Sequence, residues 1–330
     1  MESWGYLIVN SNVPKVSICI PTFNAAEYLR QAVESVLVQS YQNLEIVIVD
    51  NCSTDHTVTL VEELIRNSSR NIRFYKNDRN IGLVGNLNRC LEYAHGTYIK
   101  FLMADDLLLP GCLEQMAIGL DTNKSVALVA SGRLIIDEHG RELTISRYSN
   151  TNVVVPGKQA ITECLFGSNY IGEPTAVMFR QSDVKGKFRE NLPQVLDMDM
   201  WFRLLERGDL LYISEPLCAV RQHADQMTHA NIHSGALVED NIKLFEAYSH
   251  KAYIKPSLRL AAQHRVYMAY RVWMSRKYIS PEKKKMVLNR YGSTLAYWLI
   301  PVGWLLLNFK RRAFASLRRL FQPKPGSRYK

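Results

Sequence analysis

Apolar and polar positions switch between two periods along the first hundred residues. Residues 15–21 (KVSICIP) form a near-continuous apolar run rich in β-branched side chains and closed by Pro21, which predicts a buried strand. Helical spacing follows over residues 25–38. Asn43–Asp50 (NLEIVIVD) repeats the strand pattern, and residues 53–67 repeat the helical one, with Ser53 and Thr54 as candidate caps. NIRFYKN at 71–77 predicts a third strand. GLVGNLNRCLEYAHG at 82–96 predicts a third helix, with Gly96 as its C-terminal residue, and TYIKFLM at 97–103 a fourth strand.

This β-α-β-α-β-α-β order implies an α/β fold with a largely parallel central sheet covered by helices. In open sheets of that kind, ligands sit beyond the carboxyl ends of the strands. Three polar segments follow strands here: Pro21–Asn24, Asp50–Asp55 and Asp105–Asp106. The fold would bring these distant acids to one edge. The adjacent carboxylates of Asp105 and Asp106 repel each other, a cost most simply offset by a cation. Taken alone, the pair also suits a turn or a helix cap.

The turn after the first strand reads PTFNAAEY, without the glycines of a dinucleotide fingerprint, and no Walker A sequence occurs. A divalent cation held by aspartate is therefore the candidate device for handling phosphates.

Four segments carry a family likeness: VSICIPTFN, LEIVIVDNCSTDHT, NIGLVGNLNRCLEYAHGTYIKFLMADD and LDMDMWFRLLERG. They occur in the order seen in family 2 glycosyltransferases, which the chain resembles from Val16 to Thr228. The resemblance implies an inverting enzyme of the GT-A fold, Rossmann-like and mainly parallel, of the bacterial polysaccharide or lipopolysaccharide type. It implies a nucleotide-sugar site containing Pro21, Thr22 and Asn24, with Asn80 and Gly82 flanking it. Asp50 would accept a hydrogen bond from the base, which suits the N3–H of uracil or thymine and favours a UDP or dTDP sugar; Asn51 stands where a second Asp is usual.

MADD holds the place of the family's D-x-D motif, with Met103 replacing the first acid. Ala104 and Asp105 fall in the donor site. Asp105 is the implied main ligand of Mn2+ or Mg2+, with Asp106 beside it. LDMDMWFRL aligns Asp197 with the catalytic base, and Asp199 is the nearby alternative; Leu196 replaces the usual Glu. Two residues apart on a helix, these acids face different directions, and both also suit a helix first turn. In VRQHADQMT, His223 is an implied metal ligand or phosphate contact, and Arg221 contacts the diphosphate or pairs with an acid. On the acceptor side, Glu173 in GEPTAVMFR and Trp201 are candidates, Trp201 as a sugar platform or as core. The implied reaction is one in-line displacement in which Asp197 deprotonates an acceptor hydroxyl. The departures at Met103, Asn51 and Leu196 leave a non-catalytic nucleotide-sugar binder as the competing reading.

The 330 residues suffice for a catalytic domain over 1–228 and a helical region over 229–330. The first fifteen residues lack a basic-then-apolar leader and are expected to be a short lead-in. Six scattered cysteines without metal spacing suit reduced thiols in a cytosolic protein. The net charge of +10 is unevenly placed: the last fifty residues carry twelve Lys/Arg against one acid, so the rest is near neutral. Such tails bind polyanions, but no nucleic-acid module is present, which removes that partner.

Helices are expected over 236–250 and 257–279. Tyr291–Phe309 is an uncharged run near the length of a membrane span, interrupted by Pro301 and Gly303, with Trp298 and Trp304 suited to an interface. Residues 308–322 fit a helix lying on anionic lipid. Peripheral or re-entrant attachment at the cytoplasmic face of the membrane is the expectation, with a lipid-linked saccharide acceptor. A true span, or a helix pair packed on the catalytic domain or on an oligomer partner, is the alternative.

Overall fold

A computed structural model describes residues 15–223 and 236–300. The expected lead-in, the domain boundary at residue 228 and the basic tail from residue 301 onward lie outside the described residues.

The framework is a ten-stranded sheet. In chain order the strands are β1 (Val16–Thr22), β2 (Leu44–Asp50), β3 (Ile72–Lys76), β4 (Tyr98–Phe101), β5 (Leu107–Leu108), β6 (Val126–Ile136), β7 (Glu142–Ser146), β8 (Val153–Val155), β9 (Val177–Arg180) and β10 (Asp209–Arg221). In space they run β3-β2-β1-β4-β9-β6-β10-β5, with β7 added to β6 and β8 to β10. β3, β2, β1 and β4 are parallel, and β10 is parallel to β6. β9 is antiparallel to both neighbours. Its first residues therefore lie beside the end of β4, with Lys100 opposite Met178.

Every residue of β1 and β2 is buried, because helices cover both faces. One face carries Ile18, Ile20, Ile46 and Ile48 against α1 (Leu29–Leu37), α2 (Thr57–Asn67) and α4 (Cys112–Thr122). The other carries Cys19, Val47, Val49 and Phe101 against α3 (Gly82–Tyr93), α5 (Gly157–Phe166) and α6 (Leu196–Leu205). The period-2 alternation of β1 and β2 thus sorts side chains between two cores rather than between core and water.

Two local expectations are corrected. Ser53 and Thr54 do not cap α2, whose N-cap is His56; just ahead of it the Asp55 carboxylate accepts from the Thr57 N–H at 3.0 Å and its hydroxyl at 2.6 Å. Gly96 does not end α3, which stops at Tyr93. Gly96 is glycine because a Cβ there would sit 2.6 Å from the Ser17 nitrogen.

After the sheet come α7 (Ala236–Tyr248), α8 (Leu258–Met274) and α9 (Pro281–Arg290). They share a cluster containing Val238, Met268, Val272, Val287, Leu288 and Tyr297. Phe245 of α7 joins it to the sheet core, stacking on His264 at 4.3 Å and meeting Phe166 of α5 edge-on at 5.2 Å. Tyr291 and Gly292 are buried on this unit, so the uncharged run begins packed on protein rather than as a lipid-exposed span. No helix among the described residues is long and apolar enough to cross a membrane.

Candidate functional site

The ends of β1, β2, β4 and β10 and the turn before β9 enclose a cleft of about 770 Å³. Its wall includes the predicted Pro21, Thr22, Asn24, Asn80, Gly82, Ala104, Asp105, Asp106, Glu173, Asp197 and His223. Four predicted residues, Asp50, Asp199, Trp201 and Arg221, are absent from that wall.

The β1 and β2 exits are tied together. Asn24 adopts a left-handed φ of 48°, a conformation Asn tolerates better than most residues. Its side-chain oxygen accepts the Thr54 N–H at 2.9 Å, and its own N–H donates to the Ser53 hydroxyl at 2.8 Å. Asp50 is fully buried beneath this turn. Its carboxylate accepts the Ser53 N–H at 3.0 Å and hydrogen bonds from the Ser53 and Thr22 hydroxyls. Asp50 therefore shapes the turn and does not present its carboxylate to a base in the cleft. Asn51 reaches the wall instead, with its side-chain oxygen accepting from the Ile81 N–H at 2.9 Å and from the Asn77 amide at 3.1 Å.

The MADD loop separates its two acids. Asp106 is 3% exposed, and its oxygens accept the Thr175 hydroxyl at 2.6 Å and the Arg221 N–H at 3.0 Å. Burial, then the neighbouring Asp105 charge, pushes its carboxyl well above the usual range. Asp106 is thus spent on fixing the loop and is not disposed to hold a cation. Asp105 remains partly exposed and meets His223, Oδ2 to Nε2, at 3.1 Å. Met103, in the place of the family motif's first acid, lines the cleft, and its N–H donates to the Thr175 hydroxyl at 3.0 Å.

Arg221 sits behind this pair. Its Nε donates to the Asp105 carbonyl at 2.9 Å and its other nitrogens to the Asp137 and Glu138 carbonyls and Gln31. The guanidinium also lies 4.6 Å over the Tyr28 ring. Arg221 positions the Asp105 loop and is 1% exposed, which corrects its assignment to the diphosphate.

At α6, helix phase decides between the two acids. Asp197 faces the cleft with its Oδ1 accepting the Met198 N–H at 2.8 Å. Burial, with a smaller push from the Glu173 charge, raises its carboxyl to about 6 against the Met198 hydrogen bond. Asp199 points the other way, fully buried between Arg189 and Arg203 at 3.1 Å each and close to the Tyr248 hydroxyl at 3.2 Å. Those ion pairs make it a strut and correct its candidacy as a base. Trp201 is also core, packed against Phe179 and Phe188, so it is no sugar platform. Its indole N–H holds the Gly172 carbonyl at 3.1 Å, next to Glu173. Glu173 is half exposed in the wall and paired with Arg133 at 2.7 Å.

The sequence reading missed several wall residues. Phe23 is 47% exposed at the β1 exit, and Tyr28, Asn86 and Gln194 also line the cleft. An exposed aromatic directly after a buried strand was a usable signal for Phe23; Asn86 and Gln194 gave none.

Among the described residues, no three His, Cys, Asp or Glu side chains converge as a metal site. The cleft instead offers two donors, one carboxylate and one imidazole, a set that suits a divalent cation completing its shell with ligand phosphates and water.

Residues 17–186 match the family model described as glycosyl transferase family 2. An uncharacterized protein of Mycobacterium tuberculosis is 33% identical over 226 residues, covering 65% of this chain and 69% of its own. EpsE of Bacillus subtilis, which bears a provisional glycosyltransferase name, is 29% identical over 287 residues, covering 84% and 96%. Two solved structures share the fold. TarS residues 1–349 of Staphylococcus aureus, in complex with UDP-GlcNAc, aligns over 83% of this chain and 90% of its own at a TM-score of 0.55 and 19% identity. The mannosyltransferase PcManGT of Pyrobaculum calidifontis, in complex with GDP-Man and Mn2+, aligns over 94% and 85% at 0.61 and 18%.

Proposed function

The chain belongs to glycosyl transferase family 2, and from that premise we propose that it moves a sugar, with inversion, from a nucleoside diphosphate sugar to an acceptor hydroxyl. The observation that carries this is the placement of Asp197, a carboxyl raised to about 6, in the same cleft as the Asp105–His223 pair. A base with that affinity for protons is well matched to work near neutral pH. Asp197 takes the acceptor proton as the acceptor oxygen bonds to the anomeric carbon. The bond from that carbon to the diphosphate oxygen breaks on the opposite face, and the diphosphate leaves with its electron pair. Asp105 and His223 would hold Mn2+ or Mg2+, which when bound offsets charge on the leaving diphosphate.

The donor class is supported by the nucleotide sugars held by TarS and PcManGT, one a UDP and the other a GDP derivative. A preference for UDP or dTDP resting on the Asp50 carboxylate loses its direct support, because that group is buried. Pro21, Thr22, Asn24, Asn51, Asn80, Gly82 and Ala104 form the donor wall in this reading, and Glu173 borders the acceptor. The acceptor is proposed to be a lipid-linked saccharide of cell-surface polysaccharide assembly, handled by a peripheral enzyme at the cytoplasmic face.

Calorimetry with UDP, dTDP, GDP and CDP, with and without Mn2+, tests the donor site. One nucleotide binding in a metal-dependent way is the expected result. Absence of binding by all four to the folded protein would sink the proposal.

A further inference from the structure

We propose that the outward face of the C-terminal helical unit docks on an anionic lipid bilayer. Residues 294–300 are helical. Their inner side is apolar and buried, with Tyr297 at 8% exposure in the cluster of α7–α9. Their outer side is apolar too: Leu295, Trp298 and Leu299 are 71%, 70% and 55% exposed. The i, i+3, i+4 spacing places these three on one stripe. A helix that is apolar on both sides is suited to a second apolar medium beyond the protein.

The cations that flank this stripe name the medium. Lys284 of α9 lies with its ammonium 5.8 Å over the Tyr297 ring, so the basic helix and the apolar stripe are neighbours. Lys283 and Arg290 pair with Glu239 and Glu246, whereas Lys284 and Lys285 make no ion pair among the described residues. The chain beyond adds eight Lys/Arg and no acid between Phe309 and Lys330. Exposed Leu and Trp beside lysines is the composition of an interfacial anchor on anionic lipid. A second copy of the chain would bring the same cations face to face, and the chain's own tail carries the same sign, so both suit the surface less well.

The inference deepens the lipid-linked acceptor and rests on that reading for its purpose. Contact with the cleft exists through α7, where Asp240 accepts the N–H of the wall residue Gln194 at 3.0 Å.

The test is co-sedimentation of the full chain with phosphatidylcholine vesicles, with and without phosphatidylglycerol. Leu295→Ser/Trp298→Ser/Leu299→Ser is expected to lower partitioning about tenfold or more. Lys284→Glu/Lys285→Glu should lose mainly the phosphatidylglycerol-dependent part, also about tenfold or more. Brominated acyl chains should quench tryptophan emission in the parent protein and markedly less in Trp298→Leu, a single change that serves if the triple variant does not fold. Undiminished partitioning of the stripe variant would overturn the proposal by assigning lipid binding to the tail alone. Absence of vesicle binding would overturn it too, and self-association abolished by the stripe variant would point to a second copy. Nucleotide binding and transfer to a water-soluble acceptor, measured on the same proteins, separate the two readings. Docking without either activity removes the transferase proposal and leaves the surface; activity without docking does the reverse.

Discussion

The Asp105 carboxylate meets the His223 imidazole at 3.1 Å across 118 residues of chain. Arg221, two residues before His223, fixes the carbonyl of Asp105, so the pair is set by the same short segment that supplies half of it. His223→Ala is expected to weaken Mn2+-dependent nucleotide binding roughly ten- to hundredfold, and Asp105→Ala at least as much. Calorimetry with and without a chelator checks this. Equal affinity of parent and variants in Mn2+ would remove the pair from the donor site.

Asp197→Asn is expected to lower kcat by roughly 10²–10⁴ while nucleotide binding persists. In the parent protein, kcat/KM should fall below about pH 6, where Asp197 becomes protonated. The stability effect has the opposite sense to the activity effect. A carboxyl raised in the fold gives stability that is present below its unfolded value of about 3.9 and lost as pH rises through about 6. The Asn variant should therefore melt higher than the parent at neutral pH. Full transfer by Asp197→Asn would place the base elsewhere.

Asp199→Ala leaves Arg203 facing a void, since Asp199 is fully buried between two guanidinium groups. A loss of about 3 kcal/mol is expected from removing one partner of such a cluster. Urea unfolding measures it as a lower midpoint. A stable variant with abolished turnover would instead return Asp199 to the list of candidate bases.

His264 is 6% exposed, and among the described residues neither ring nitrogen makes a hydrogen bond of normal geometry. Burial, opposed weakly by the Leu165 backbone, holds the imidazole down at about 4. Because the unfolded group titrates near about 6.5, stability should fall as pH drops from there toward 4. His264→Leu should keep its midpoint over that window, read by circular dichroism during heating. An equally pH-sensitive variant would assign the acid loss to other groups.

The alternating strands and helices up to Phe101 were legible because parallel strands covered on both faces read as unbroken apolar runs. The segments delivering Asn24, Asp105, Asp197 and His223 to one cleft were legible from their places after strands and from the family order. What stayed hidden was side-chain direction. Asp50 and Asn51 are adjacent, yet only the second reaches the wall; Asp105 and Asp106 both border it, but only the first keeps its carboxylate partly exposed. In α6 the two acids were known to diverge, but which one met solvent depended on where Arg189 and Arg203 would lie. Arg203 lies on α6 itself four residues after Asp199, a spacing visible in the sequence, whereas Arg189 comes from the segment before the helix and no local pattern announces that meeting.

The reversal of β9 has a consequence for how such an enzyme can diversify. The strands that build the donor wall leave the sheet at this rim, whereas β9 begins there, so Gly172 and Glu173 arrive from the opposite chain direction. Thr175, just before β9, is tied to Met103 and Asp106 of the loop after β4, so Glu173 ahead of it is the residue whose charge can change without breaking that tie. In the proposed reading, selection on which alcohol is glycosylated would act through Glu173 and its Arg133 partner, two residues from the tie that also steadies the Asp105 loop.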